Sequence, residues 1–241
     1  MNLSIVLPTF NEIENIGPLV DAIKIAVPAE VEFEIIVVDD NSPDGTYDRA
    51  IALFADDPQV VIQKRVTDKG LARSIRSGIE LAQGTKVIVM DTDFTHDPQE
   101  ISKLVHVGKE FAIVSCSRFC SGGNMQDRAH YLASLIFNLL LRVILRTNVQ
   151  DNLGGYFLIT REKLMTLPLD QIFHGYGDYY FRLLHYAQSK GLSIVEIPTI
   201  YRTRKYGTSK SNFVKMMFSY GVAALKLRMS TRKRRLKSVS S

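Results

Sequence analysis

The sequence predicts an α/β fold in which helices flank a mostly parallel, Rossmann-like sheet. Short apolar runs typical of buried strands alternate with segments whose apolar residues recur at helical spacing. The strand-like runs are 3–7, 33–38, 59–63 and 86–90, and the helix-like segments between them are 12–26, 46–56 and 70–83. Because strands and helices alternate, right-handed βαβ units are the expected connection. Gly84 is expected to end the third helix as its C-cap residue.

Composition and charge narrow the class of protein. The chain has 241 residues, of which 46% are hydrophobic and 23% charged, the balance of an ordinary globular protein. Of its 30 Lys and Arg residues, 12 lie from Ile197 to Ser241, a stretch without Asp or Glu. The rest of the chain therefore carries 18 basic and 25 acidic residues, a net charge of −7. This asymmetry predicts contact between the basic end and an anionic partner: phosphate, anionic lipid or nucleic acid.

Two features favour a cytoplasmic protein. The N-terminus begins directly with a strand-like run, and we find no secretory signal there. Cys116 falls in a stretch expected to be buried, and neither it nor Cys120 belongs to a metal-type Cys/His cluster. Reduced thiols, and hence the cytosol, are the simpler interpretation.

Polar clusters follow three of the predicted strands, at the point where each strand ends. They read "PTFNE" at 8–12, "DDNSPD" at 39–44 and "DTDFTHD" at 91–97. In open α/β sheets, ligands bind outside the carboxyl ends of the strands. We therefore expect the fold to gather these clusters into one site.

Asp91 and Asp93 are the strongest candidates for chemistry. If the chain stays extended beyond the fourth strand, both side chains point to the same side. Paired carboxylates repel unless a cation lies between them, and Mg²⁺ and Mn²⁺ prefer oxygen ligands and substrate phosphates. The pair thus predicts a metal site that binds a nucleoside diphosphate. Alternatively, Asp91 is an exposed strand end and Asp93 a helix N-cap, although Asp97 is better placed for that role.

Other polar side chains leave alternatives open. His96 is a candidate third metal ligand, although a single loop histidine is more often a surface or supporting residue. His174 and Asp178 are four residues apart and share a face if that stretch is helical. Asp178 is either a general base or a carboxylate that complements a helix start.

Several segments resemble family 2 glycosyltransferases of the GT-A fold, in the order seen in that family. They are "IVLPTFNEIENI", "IIVVDDNSPDGT", "DKGLARSIRSGIELAQG", "VIVMDTDFTHDP" and "VSCSRF". Within the family the chain looks most like the dolichol-phosphate mannosyltransferase type, the polyprenyl-phosphate glycosyltransferases. "DNLGGYFLITREKL" and "RKYGTSKSN" extend the resemblance almost to residue 212. It implies an inverting, metal-dependent enzyme that moves a sugar, mannose or glucose, from a nucleotide diphosphate sugar to a polyprenyl phosphate.

The resemblance also implies roles for individual residues. Those implied for the nucleotide sugar are Pro8, Phe10, Glu12, Val38, Asp40, Asp91, Thr92 and Asp93. Asp91 and Asp93 are implied to hold Mg²⁺ or Mn²⁺, and Thr95 stands near that metal. Those implied for the acceptor phosphate are Arg118, Arg128, Ser134, Arg204 and Lys210. The implied catalytic residues are Asp91, Asp93, Arg118 and Asp178.

Two apolar segments, 131–145 and 213–229, raise the question of membrane contact. Neither offers the ~20 uninterrupted apolar residues of a spanning helix, so each is either a buried helix or one at a membrane surface. The apolar face expected for the second segment is Phe213, Met217, Tyr220 and Ala224. The basic stretch "RKRRLK" follows it directly, and an apolar face next to basic residues is typical of a peripheral membrane anchor.

These features predict a GT-A catalytic domain over residues 1–212 and a membrane-associating amphipathic helix with a basic tail over 213–241. The expected location is the cytoplasmic face of a membrane, where a membrane protein is a further candidate partner. The alternative acceptor is a saccharide or glycolipid in polysaccharide assembly. We do not expect nucleic acid as a partner, because no DNA- or RNA-binding motif is present. The G-x-G-x-x-G fingerprint of dinucleotide enzymes does not follow the first strand.

Overall fold

The computed structural model describes residues 2–203 and 213–239. Its strands are β1 Leu3–Thr9, β2 Phe33–Asp39, β3 Val60–Lys64, β4 Lys86–Val89, β5 Ile113–Ser117, β6 Asn124–Met125, β7 Phe157–Thr160, β8 Ile194–Pro198 and β9 Ile200–Tyr201. Its helices are α1 Ile16–Ala26, α2 Thr46–Phe54, α3 Leu71–Leu81, α4 Glu100–Val107, α5 Arg128–Leu145, α6 Arg161–Met165, α7 Leu169–Ile172, α8 Tyr179–Ser189 and α9 Phe213–Val239. The predicted alternation of strands and helices is confirmed from β1 to β4.

The main sheet has the strand order β3-β2-β1-β4-β7-β5-β8, and β6 pairs with β9 in a small second sheet. β1 lies between β2 and β4 and is parallel to both. The chain therefore leaves β1 toward one side of the sheet and returns on the other at β4, which is where α/β sheets bind ligands. The predicted α/β class with a mostly parallel sheet is confirmed. The strand β7, antiparallel to β4 and β5, was not predicted.

Helices cover both faces of this sheet. Side chains alternate along a strand, so Ile5 and Leu7 of β1 pack against α1 and α4, whereas Val6 packs against α3 on the opposite face. All three side chains are completely buried. Burial on both faces explains why the strands read as nearly continuous apolar runs in the sequence.

Gly84 has a different role from the predicted one. Helix α3 ends at Leu81, with Ala82 as its C-cap residue, so the prediction for Gly84 is wrong. A Cβ atom at Gly84 would lie 2.6 Å from the main-chain nitrogen of Ser4. The Gly84 N–H also donates to Ser4 Oγ at 2.8 Å. A glycine is needed here because the chain passes close to β1 before it enters β4.

Of the apolar face predicted for the C-terminal segment, Met217, Tyr220 and Ala224 pack against the protein, and the side chain of Phe213 lies outside the described part of the structure. Tyr220, Ala224 and Leu227 of α9 are buried in a cluster with Phe181 of α8 and with α5 residues. The α5 members of this cluster are Phe137, Leu141 and Leu145. Tyr220 and Ala224 are therefore not available to a membrane, which corrects the prediction that this face inserts.

Helices α5 and α9 also carry apolar side chains that are exposed. On α5 they are Leu132, Ile136, Leu139, Leu140 and Val143, and on α9 they are Phe218, Val222, Leu225 and Met229. The most exposed are Phe218, at 77%, and Val143, at 76%. Within residues 2–203 and 213–239, no helix has the length and apolar character needed to cross a membrane.

Candidate active site

A cavity of about 720 Å³ opens at the carboxyl ends of β1, β2 and β4. It is lined by seven of the eight residues predicted for the nucleotide sugar, namely Pro8, Phe10, Glu12, Asp40, Asp91, Thr92 and Asp93. The eighth, Val38, is completely buried in the core beside α3. The side chain of Val38 is therefore not available to a nucleotide, and a contact through its main chain stays a prediction.

The loops after β1 and β2 are fastened to each other. The Asn11 N–H donates to Ser42 Oγ at 2.9 Å, and the Glu12 N–H donates to Thr46 Oγ1 at 2.9 Å. Asn11 has a φ of 57°, a left-handed conformation that asparagine tolerates better than most residues. The side chains of Phe10 and Glu12 are thus presented by a loop with a fixed main chain, and Phe10 remains 43% exposed.

Asp40 lines the cavity with a carboxylate that is already held by the protein. One oxygen accepts from Arg65 Nη1 at 2.5 Å, and the other accepts the Gly70 N–H at 2.6 Å. Arg65 also donates to Ser74 Oγ at 3.0 Å, which ties the end of β3 to the start of α3. This network positions Lys69 and Gly70, which also line the cavity.

The loop after β4 presents Asp91 and Asp93 to the cavity by a route different from the predicted one. The strand ends at Val89, and the chain bends instead of staying extended, with Phe94 at a φ of 62°. Asp93 is buried, and its Oδ1 accepts both the N–H and the hydroxyl of Thr95, at 3.0 and 2.6 Å. Asp91 is more open, with 37% of its side chain exposed. Thr92 Oγ1 donates to the Pro8 carbonyl at 2.9 Å and joins this loop to β1.

His96 is excluded as a metal ligand because both of its ring nitrogens are engaged. Nδ1 accepts the Asp91 N–H at 2.9 Å, so the proton of a neutral ring resides on Nε2. Nε2 lies 3.0 Å from the Gly154 carbonyl oxygen, to which it donates. The ring is buried with 2% exposure, so the hypothesis of a third ligand is wrong.

The remaining donor atoms fit a hard divalent cation. Asp91 and Asp93 supply carboxylate oxygens to one cavity, and Thr95 places a hydroxyl next to Asp93. In the described parts of the chain, no three His, Cys, Asp or Glu side chains are arranged as a complete metal cage. Mg²⁺ is commonly bound through one or two carboxylates, with substrate phosphates and water as further ligands. The geometry suits a cation that arrives with a diphosphate.

Arg118 is buried and paired with Asp151. Its Nε and Nη2 donate to the two carboxylate oxygens at 2.7 and 2.8 Å, and its main-chain N–H donates at 3.0 Å. Burial alone would raise the pKa of Asp151, but the charge and hydrogen bonds of Arg118 outweigh it and lower that pKa. The guanidinium therefore holds the segment around Asp151, and it does not line the cavity described above.

Asp178 lies at the start of α8, where its carboxylate is engaged on both oxygens. Oδ1 accepts the Tyr176 N–H at 2.9 Å, and Oδ2 forms an ion pair with Arg182 one helical turn later. Arg182 also donates to the carbonyls of Ile172 and His174. These contacts favour the structural alternative for Asp178 over a general base.

The acceptor residues are not brought together by the described part of the chain. Arg128 is exposed at the first position of α5, and Ser134 is buried within that helix. Neither lines the 720 Å³ cavity. Arg204 and Lys210 lie outside the described residues. The acceptor-phosphate assignments therefore stay predictions.

Sequence reasoning missed part of the cavity wall. Lys69, Tyr176, Met216, Ser219 and Tyr220 line the cavity together with the predicted residues. Burial, with the charge of Asp178 as a second cause, raises the pKa of Tyr220 far above its ordinary value, so its phenol stays protonated. Lys69 could have been found from the sequence, because it directly precedes a glycine at the start of a predicted helix. The α9 residues could not, because α9 reaches the cavity through tertiary packing.

Comparison with known proteins identifies the family of this chain. Residues 4–167 match the model of glycosyl transferase family 2. The undecaprenyl-phosphate mannosyltransferase of Micrococcus luteus is 34% identical over 87% of this chain and 87% of its own length. The polyprenol monophosphomannose synthase of Mycolicibacterium smegmatis is 33% identical over 89% of this chain and 83% of its own. The dolichol-phosphate mannosyltransferase of Pyrococcus furiosus is 31% identical over 87% of this chain, which spans 59% of that protein.

Solved structures share the fold. Glucosyl-3-phosphoglycerate synthase from Mycobacterium tuberculosis, crystallised with Mn²⁺, UDP and glucosyl-3-phosphoglycerate, superposes with a TM-score of 0.70. The match covers 94% of this chain and 79% of that one at 23% sequence identity, which supports the GT-A fold alone. The same synthase was also crystallised with Mg²⁺ and UDP, with a TM-score of 0.70 at 22% identity. The family match and the relatives above 30% identity show that this chain is a glycosyltransferase that belongs to glycosyl transferase family 2.

Proposed function

We propose that this glycosyltransferase moves a hexosyl group, mannose or glucose, from a nucleoside diphosphate sugar to a polyprenyl phosphate, with inversion at the anomeric carbon. The observation that carries the proposal is the cavity itself, which Asp91 and Asp93 line together with Phe10, Glu12 and Asp40 at the ends of three adjacent strands. The names of the relatives supply the class of acceptor. The inverting course follows from the family resemblance.

The chemistry of the cavity lining supports binding of the donor there. Phe10 offers an exposed ring on which a nucleobase stacks, and Glu12 offers a carboxylate to base or ribose donors. The oxygens of Asp40 already accept from Arg65 and Gly70, but each has a second lone pair for such a donor. Asp91 and Asp93 would hold Mg²⁺ or Mn²⁺, which neutralises the charge that develops on the leaving diphosphate. Lys69 also lines the cavity, and its cationic side chain complements that charge.

The state of Asp178 favours a phosphate acceptor. A sugar hydroxyl must lose a proton as it attacks, so it requires a base in the site. The carboxylate of Asp178 is instead committed to Arg182 and the Tyr176 N–H. A phosphate monoester is already anionic near neutral pH and attacks without such a base. Basic side chains would orient it, and Arg128, Arg204 and Lys210 are the candidates, whereas the guanidinium of Arg118 is committed to Asp151.

Membrane contact follows from the acceptor and from the surface of the protein. An isoprenoid chain stays in the bilayer, so the site must approach a membrane. Helices α5 and α9 pack together and both expose large apolar side chains, including Val143 and Phe218. The basic residues at 232–237 follow on the chain. We propose that α5 and α9 contact the cytoplasmic face of an anionic membrane. The same exposed apolar side chains could also bind a membrane-protein partner.

A transfer assay tests the proposal. The protein is incubated with a panel of sugar nucleotides, with and without polyprenyl phosphate, and with a soluble saccharide acceptor as the alternative. We expect sugar transfer only when polyprenyl phosphate is present, and we expect Asp91→Asn and chelator each to abolish it. Transfer to the saccharide but not to the lipid phosphate would replace the proposed acceptor. Full activity of Asp91→Asn would reject the proposed site.

A further inference from the structure

His96 lies at the junction between two segments of the candidate site. It follows Asp91 and Asp93 in the loop after β4, and its ring reaches the segment that contains Asp151 and Gly154. The side chain is almost completely buried. Both ring nitrogens are engaged in hydrogen bonds and neither is a metal ligand. The groups that His96 binds therefore indicate its role.

The two hydrogen bonds of His96 fix the main chain of the metal loop. Nδ1 accepts the N–H of Asp91 at 2.9 Å, at the point where the chain leaves β4 and bends. Nε2 donates to the Gly154 carbonyl at 3.0 Å. The ring therefore bridges the main chain of a proposed metal ligand to the main chain of a second loop.

Packing fixes the orientation of the ring. The imidazole stacks on Tyr156 with ring centroids 4.8 Å apart and planes inclined by 15°. The ring of Tyr201 meets it edge-on at 5.5 Å and 75°. The Tyr156 hydroxyl in turn donates to the Asp97 carbonyl at 3.0 Å, so the loop is held on both sides of His96. A ring confined in this way cannot turn to follow a displaced Asp91.

The second end of the bridge belongs to the segment that carries the buried ion pair. Gly154 lies three residues after Asp151, and a Cβ atom there would meet the Cys116 carbonyl oxygen at 3.1 Å. Asp151 holds Arg118 through two side-chain hydrogen bonds. His96 thus connects the loop of Asp91 and Asp93 to the segment that fixes Arg118.

From this geometry we infer that His96 is a positioning residue, which fixes the main chain of Asp91 so that its carboxylate binds a divalent cation at the diphosphate of the donor. The inference rests on the proposed function. It predicts that the Nδ1 side of the ring matters for metal affinity, whereas a core histidine with a purely structural role would affect stability alone.

Three substitutions separate the two sides of the ring. In His96→Asn, the amide oxygen takes the place of Nδ1 and still accepts the Asp91 N–H. In His96→Gln, the amide nitrogen takes the place of Nε2 and still donates to Gly154, but the acceptor for Asp91 is lost. His96→Phe retains the aromatic packing and loses both hydrogen bonds. A matched control is His185→Asn, since His185 is also buried but contacts Thr231 of α9.

Binding of Mn²⁺ is measured by electron paramagnetic resonance of the free ion, with GDP and again with UDP, and each titration is referred to one without protein at the same nucleotide concentration, because the nucleotide alone also binds Mn²⁺. Partners that hold a metal ligand typically contribute 10–100-fold to affinity, so we expect His96→Gln and His96→Phe to weaken Mn²⁺ binding about tenfold or more, and His96→Asn about threefold or less. His185→Asn should bind Mn²⁺ like the wild type. Thermal unfolding of each variant accompanies the titration.

The outcomes distinguish this inference from the proposed function. If the wild type binds no Mn²⁺ with either nucleotide, or Asp91→Asn binds it equally well, the proposed metal site fails. If the wild type binds Mn²⁺ and His96→Gln or His96→Phe binds it with unchanged affinity, the positioning role alone is overturned. It is also overturned if His96→Asn is as weak as His96→Gln. If His96→Phe does not fold, the comparison of His96→Asn with His96→Gln decides.

Discussion

Substitution of Arg118 by methionine should destabilise the protein strongly, because Arg118 neutralises a buried carboxylate. Methionine preserves most of the aliphatic volume and removes the charge. Arg118 is 6% exposed and Asp151 is 0% exposed. In Arg118→Met, Asp151 keeps its main-chain donors from Arg118 and Leu153 but loses its cation and two side-chain hydrogen bonds.

The size of the effect follows from this burial. Removal of one partner from a buried ion pair costs about 3–5 kcal/mol, because the remaining charge is left without compensation. Since a folded domain is stable by roughly 5–15 kcal/mol, this loss is a large fraction of the total. Without Arg118, burial dominates and raises the pKa of Asp151. The unpaired carboxylate then takes up a proton more easily, so the deficit of the variant relative to the wild type should shrink as the pH falls from 7 toward 5.

Urea denaturation at pH 7 and pH 5 measures these differences. The second variant, Arg118→Met/Asp151→Asn, removes the orphaned charge and should recover part of the stability lost in Arg118→Met. A loss below about 1 kcal/mol in Arg118→Met would contradict the reasoning, because that is the range of exposed ion pairs. So would a double variant that is no more stable than the single one. A stable Arg118→Met that fails in sugar transfer would instead indicate direct contact between Arg118 and the acceptor.

Three further predictions test the membrane surface, the acceptor loop and one buried histidine. Deletion of residues 230–241 removes five basic residues, each worth about 1 kcal/mol near anionic lipid, so co-sedimentation with anionic vesicles should weaken markedly. Intact protein should be released by high salt, and equal binding of both forms would reject the basic anchor. Arg204→Ala and Lys210→Ala should raise the KM for polyprenyl phosphate more than the KM for the donor, and an unchanged acceptor KM would remove this loop from the site. Burial, with the charge of Arg228 as a second cause, lowers the pKa of His185 below 6.5. As the pH falls through about 6.5, His185 therefore takes up a proton in the unfolded chain before it does so in the folded protein. The free energy of unfolding decreases as the pH falls further. His185→Asn should lose less stability between pH 7 and pH 5 in urea titrations, and an identical pH dependence would contradict this assignment.

The donor side of the site could be predicted from sequence because its residues follow buried strands directly. Pro8, Asp40 and Asp91 each stand at or just beyond the end of an apolar run, and parallel neighbours in a sheet end at the same edge. Such residues need no long-range information beyond the alternation of strands and helices. Val38 shows the limit, because it lies only two positions before Asp40 and its side chain belongs to the core.

The acceptor side of the site could not be predicted from the sequence in this way. Arg118 has the residue type and position expected of a phosphate ligand, yet its guanidinium is committed to Asp151, which is 33 residues away in the chain. Asp178 and Arg182 likewise form a pair that sequence spacing allows but does not require. Whether a charged side chain serves a substrate or a buried partner depends on which residues the fold brings beside it.

Local periodicity and strand-end chemistry determined by themselves the α/β class, the paired carboxylates and the edge of the sheet where they meet. These follow from interactions between near neighbours along the chain, which leave a repeating pattern in the sequence. The tertiary structure decided the insertion of β7 between β4 and β5, the close approach that requires Gly84, and the face of α9 that is buried. It also decided that His96 holds the main chain of Asp91 instead of a metal ion. Each of these depends on contacts between segments far apart in the chain, whose geometry is set by packing and leaves no periodic trace in the sequence.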